Sequence, residues 1–179
     1  IIIRSYTFGN TDNTKVMLDQ NKKRIFDLPK IDYTLRTIKS VIKSCEIAKE
    51  FFKDTNIKII ITDDRSSKKN LDKINQLLND TILSTKLINL KENEFNEKIK
   101  KIDTNGKTIS ENMISNMRNL YKSIEISEND DSDLFYFLED DYIHTKEAIT
   151  EMLFTYEKIS TQLNQELFLC PADYPYLYS

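Results

Sequence analysis

The chain has 179 residues, 39% of them hydrophobic and 31% charged, with a formal net charge of -3. That length suffices for one domain with a real core, and the composition excludes a disordered chain. The mixed charge offers nothing to a nucleic-acid backbone, no apolar run nears the ~20 residues that span a bilayer, and Ile1-Ile2-Ile3 is too short for a signal peptide.

Ile1 to Ile3 read as a buried strand that leads into Arg4-Ser5-Tyr6-Thr7. Residues 8 to 31 are polar and irregular and read as a long loop, a length that is uncommon unless the loop is functional or mobile. Asp32 reads as the N-cap of a helix whose inward stripe is Leu35, Ile38, Ile42, Cys45, Ala48 and Phe52. Residues 56 to 61 form a second strand that ends in Thr62-Asp63-Asp64-Arg65-Ser66-Ser67. Ser67 suits the cap of the next helix, whose apolar face is Leu71, Ile74, Leu77 and Leu78. Thr85 to Leu90 is a third strand, and residues 91 to 107 are a charged loop. Thr108-Ile-Ser-Glu111 has the form of a capping box, opening a helix with Ile109, Met113, Met117, Leu120 and Ile124 inward.

Phe135 to Leu138 then read as a strand buried on both faces, in the middle of a parallel sheet. It runs straight into Glu139, Asp140 and Asp141. A helix from Thr145 and a last strand, Glu166 to Cys170, complete an alternation of strand and helix. Such alternation predicts one α/β domain over residues 1–179, with a mainly parallel, doubly wound sheet and helices on both faces. Cys45 and Cys170 are far apart and read as small buried residues, so a reducing, cytoplasmic setting is the default. Only Gly9 and Gly106 occur, which rules out both a Gly-x-Gly-x-x-Gly dinucleotide loop and a P-loop. A nucleotide bound here would need a metal to neutralise much of its phosphate charge.

Acids at the carboxyl end of a parallel strand stand where open α/β sheets bind ligands. Clustered carboxylates repel unless a cation or proton lies between them, and their hard oxygens suit Mg²⁺ or Mn²⁺. Two strand ends carry such acids, Asp63-Asp64 and Glu139-Asp140-Asp141, and in a parallel sheet both point to one edge. Asp63 or Asp64 could accept hydrogen bonds from a base or ribose, and Asp141 could hold a metal on a diphosphate. The alternatives are an acidic loop that solvates a strand end and a helix-capping turn of Asp63-Asp64 with Ser66 and Ser67. His144, the one histidine, is a metal-ligand or phosphate-contact candidate set against a structural role. The tyrosines around Pro171 and Pro175 suit an acceptor sugar, or equally a cover for a sheet edge.

The ordered set of motifs resembles family 2 glycosyltransferases of the GT-A fold. Arg4-Ser5-Tyr6-Thr7 stands where they have a Pro-Thr-Tyr-Asn type turn, and Leu35 to Val41 match their first helix. Asp63-Asp64-Arg65-Ser66 matches Asp-Asp-Gly-Ser, Met117-Arg118-Asn119 matches Ala-Arg-Asn, and Glu139-Asp140-Asp141 matches the Asp-x-Asp metal motif. The chain departs in having Arg65 for the family's glycine and Arg4 for its proline.

The resemblance implies a GT-A domain, truncated at its C-terminus, that moves a sugar from a nucleotide-diphosphate donor to a glycan or glycolipid. Ser5, Tyr6, Asp63, Asp64, Arg118, Glu139 and Asp140 would bind the donor. Asp141 would ligate Mn²⁺ or Mg²⁺, with His144 a further candidate, and the metal would stabilise the departing diphosphate. Inversion requires a carboxylate base; Asp173, the one acid after Glu166, is the candidate within the chain. Missing C-terminal sequence would leave room for peripheral association with the cytoplasmic face of a membrane. Alternatives are an inactive GT-A-like domain that binds nucleotide or glycan, and a nucleotidyltransferase.

Overall fold

The computed structural model describes residues 1–7, 28–102 and 105–171. Its centre is built from isoleucine. β1 (Ile2–Ser5) and β2 (Lys58–Asp63) lie parallel, pairing Ile2 with Ile60, Ile3 with Ile61 and Ser5 with Asp63. Branched side chains are stiff and fill a pleated surface well, so these short runs make strands without help from length. β3 (Ser84–Asn89) adds to the far side of β2, and β4 (Phe137–Glu139) to the far side of β1, both parallel. The sheet therefore has the order β3-β2-β1-β4.

Residues paired across strands share a face. The row Leu138, Ile3, Ile61 and Leu87 looks towards α1 (Lys30–Phe51), α2 (Lys68–Asn79) and α4 (Ala148–Leu163). Ile38, Val41, Cys45 and Ala48 of α1, Ile74 and Leu78 of α2 and Ile149 of α4 close over it as one apolar core. Each fully buried branched side chain there contributes roughly 1.5–3 kcal/mol. The opposite row, Phe137, Ile2, Ile60 and Lys86, lies on the side of α3 (Glu111–Glu128). The architecture is thus α/β, a four-stranded parallel sheet with helices on both faces, consistent with a Rossmann-like fold.

Four expectations are corrected. First, α1 begins at Lys30 behind Pro29, whose fixed φ suits the entry to a helix, while Asp32 lies inside the first turn. Second, the Phe135–Leu138 run is not central. β4 is a three-residue strand at the sheet edge, and Phe137 is 43% exposed.

Third, the Glu166–Cys170 strand does not form, and Phe168 is fully exposed. The reason is topological: α4 returns on the α1 face, and a parallel strand placed beyond β4 from there would close a left-handed crossover. Cys170 is accordingly exposed, whereas Cys45 is buried.

Fourth, α3 is turned from the expected stripe. Met113, Leu120 and Ile124 are exposed, while Ile114, Ser115, Arg118, Asn119 and Ser123 are buried. Its cap is Ser110, which accepts from the Met113 N–H, and not Thr108. Ser67 caps α2 as expected, accepting from the Asn70 N–H. Among the described residues no helix is long and apolar enough to cross a membrane.

Candidate functional site

All four strands point their carboxyl ends to one edge, and the acids of β2 and β4 flank the end of β1 there. Asp63 closes a turn with Ser66: one carboxylate oxygen accepts from the Ser66 N–H (3.0 Å), the other from its hydroxyl (2.6 Å). Ser66 Oγ in turn accepts from the Thr7 N–H and hydroxyl, and Asn70 donates to Thr7 Oγ1. Burial pushes the Asp63 carboxyl up, the Ser66 bonds oppose that, and the nearby Asp140 charge adds to it. The capping-turn reading of Asp63 is therefore what the chain adopts.

Asp64 is buried between two guanidinium groups, 3.3 Å from Arg65 Nε and 3.5 Å from Arg118 Nη1. Arg118 is itself buried and donates from Nε and Nη2 to Asn96 Oδ1. The next residue, Asn119, donates to the Ser5 carbonyl (3.0 Å). The buried polar face of α3 thus holds the ends of β1 and β2 together. Ser5 lies beside Asp63 in the register, and Tyr6 donates from its hydroxyl to Asn112 while the Arg65 guanidinium sits 5.6 Å from its ring centre. Arg65 has φ 69°, in the left-handed region that favours glycine.

The three acids after β4 have three different surroundings. Glu139 pairs with Arg4 at 2.7 Å, and Arg4 also donates to Asn116 of α3. The Asp140 side chain is only 8% exposed and fully engaged: Lys30 Nζ lies 2.6 Å from one oxygen, and the Thr34 hydroxyl donates to the other at 2.7 Å. Asp141 is 42% exposed, with Lys30 Nζ 3.9 Å from its Oδ2. The one buried carboxylate of the three, Asp140, has a cation against it, which offsets the repulsion from its neighbours.

His144 is turned away from this edge. Its Nε2 meets the Tyr136 hydroxyl at 2.9 Å, its Nδ1 lies 3.3 Å from the Tyr142 carbonyl, and its N–H donates to Ser40 of α1. Burial holds its pKa below the ordinary value. Both ring nitrogens are engaged, with Tyr136 and Tyr142, while the backbone N–H ties the β4–α4 connection to α1 through Ser40, so the His144 ring does not join Asp141. Asp173 and the tyrosines that follow lie outside the described residues.

Among the described residues no three His, Cys, Asp or Glu side chains converge as a closed metal site would need. A divalent ion can instead be held by one or two carboxylates, with water and substrate phosphates completing its shell. Asp141 suits that donor set; Asp140 does not, because Lys30 and Thr34 occupy both its oxygens. Lys30 and Thr34 were not foreseen as parts of this edge, whereas Ser66 and Asn119 lie in motifs that the sequence analysis had singled out. The one local signal was Lys30 itself, a cation opening a helix whose dipole prefers an acid there.

Comparison with known proteins finds no family model, no curated protein and no solved structure that matches the chain.

Proposed function

We propose that the chain transfers a sugar from a nucleotide-diphosphate donor to a glycan or glycolipid hydroxyl, with the GT-A arrangement its sequence resembles. One observation carries this reading: four short motifs spread from Ser5 to Asp141 meet at one strand edge. Arg118 reaches Asp64, Asn119 reaches Ser5 and Arg4 reaches Glu139, so the matched turn, Asp-Asp pair, Arg-Asn pair and acidic triplet are in contact. The left-handed backbone at Arg65, where the resembled family has glycine, supports it further.

In this reading Tyr6 and Arg65 form a flat wall for the base, and Asp64 lies beneath it, 3.5 Å from Arg118 Nη1. Asp141 would hold Mn²⁺ or Mg²⁺ together with the donor's phosphate oxygens. Bound there, the ion would supply Lewis-acid stabilisation of the departing diphosphate. Lys30 holds Asp140 at 2.6 Å and stands 3.9 Å from Asp141, which stays 42% exposed. A second reading, a domain that binds nucleotide or glycan without turnover, is favoured by the ion pairs that already engage Glu139, Asp140 and Asp64.

Thermal shift with UDP, GDP, CDP, TDP and ADP, each with and without Mn²⁺, tests the reading. The expected result is stabilisation by one diphosphate only when metal is present, lost in Asp141→Ala with the metal-free melting temperature unchanged. Release of that nucleotide from its sugar conjugate separates transfer from binding. No response to any diphosphate overturns the proposal.

A further inference from the structure

Beside the acid edge, on the α1–α2 side, lies a cleft of about 240 Å³. Its walls include Thr7, Pro29, Lys30, Lys69, Asn70 and Lys73. Thr7 and Asn70 are bonded to each other and form a set floor. The three lysines come from two helices, so their convergence is a product of the fold and is invisible in the local sequence.

Their charges are not equivalent. Lys30 is balanced by Asp140, 2.6 Å away. Lys69 and Lys73 are exposed, and neither is in an ion pair among the described residues. Stability would not choose this arrangement. Lys68 and Lys69 occupy the first turn of α2, which holds no acid, although the helix dipole favours negative charge there. Lys69 and Lys73 are four apart, on the same helix face, where like charges repel. Local rules broken without a structural gain are expected at functional sites. The two lysines, neither in an ion pair among the described residues, complement a dianion.

We infer that this cleft binds a phosphate or diphosphate group, with Lys69 and Lys73 as its charged contacts and Lys30 linking it to Asp140. The inference stands on the cleft and does not require glycosyl transfer.

The test uses the full chain, in EDTA, with inorganic phosphate and with pyrophosphate, each against sodium chloride of equal ionic strength. Either anion should raise the melting temperature in a saturable way that chloride does not reproduce. The double variant Lys69→Gln/Lys73→Gln should lose that rise, with affinity down at least ~10-fold. A charge-matched control, Lys43→Gln/Lys86→Gln, alters exposed lysines elsewhere and should keep it. No rise with either anion in the wild type overturns the site, as does equal loss, or equal retention, in the two double variants. Because the probes carry no base, sugar or metal, failure here leaves the transferase reading to its own test.

Discussion

The two faces of the sheet are built on different principles. Towards α1, α2 and α4 the rows are aliphatic, and Ile3, Ile59 and Ile61 are fully buried among Ile38, Val41, Ile74 and Ile149. Towards α3 the layer is mixed: Ile2 and Ile60 lie near buried Thr62, Ser115, Arg118 and Asn119. The first face holds the strands in place by exclusion of water, which is strong and indifferent to direction. The second holds them by directed bonds, such as Asn119 to Ser5 and Arg118 to Asp64. Directed bonds also orient the loops at the carboxyl edge, from α3 through Asn119 and Arg118 and from α1 through Lys30 and Thr34 to Asp140.

Substitutions on the two faces should differ accordingly. Ile61→Ala, on the aliphatic face, should cost about 4 kcal/mol, since transfer and cavity costs add. The urea midpoint would report it, with the melting temperature lower by on the order of 10 °C; a cost under about 1 kcal/mol would mean that this face is not the core. Ser115→Ala, on the α3 face, should be within about 0.5 kcal/mol of wild type or slightly stabilising, because its hydroxyl is buried with no hydrogen-bond partner among the described residues. A loss above about 1.5 kcal/mol there would show that the hydroxyl carries a bond after all.

The smallest effect concerns pH. His144 is a polar pin on the aliphatic side, and burial lowers its pKa from the ordinary 6.5. The unfolded chain therefore takes up a proton before the native one does, and the stability His144 contributes above 6.5 is lost as pH falls through its lowered value. Urea midpoints of wild type and His144→Gln, compared between about pH 8 and about pH 5, should draw together or cross as pH falls. Parallel curves would remove the histidine from the pH response.

Much of the aliphatic face was legible in the sequence. The first three strands, the α1 stripe and the Ser67 cap follow from local rules: branched runs, helical spacing, and a hydroxyl before a helix. The polar face was not. A search for apolar spacing takes Met113, Leu120 and Ile124 as inward, and cannot see that Ser115, Asn119 and Ser123 are the buried set. The acids at the strand ends were legible as a group, because parallel strands must share an edge. Their partners were not, since Lys30 is 110 residues from Asp140 and Arg4 is 135 from Glu139. The failed fifth strand is of the same kind: Leu167 to Cys170 has a strand's composition, and the obstacle is the hand of a crossover that composition does not encode.

The two thiols differ in a way that makes the chain its own clock. Cys45 is fully buried and its thiol is pushed up to about 12, so in the native state it offers almost no thiolate to an alkylating reagent. Cys170 is exposed. A reagent in excess would mark Cys170 at once and Cys45 only when α1 lifts from the sheet. The second labelling rate would then count openings of the aliphatic core directly, without denaturant and without an introduced cysteine.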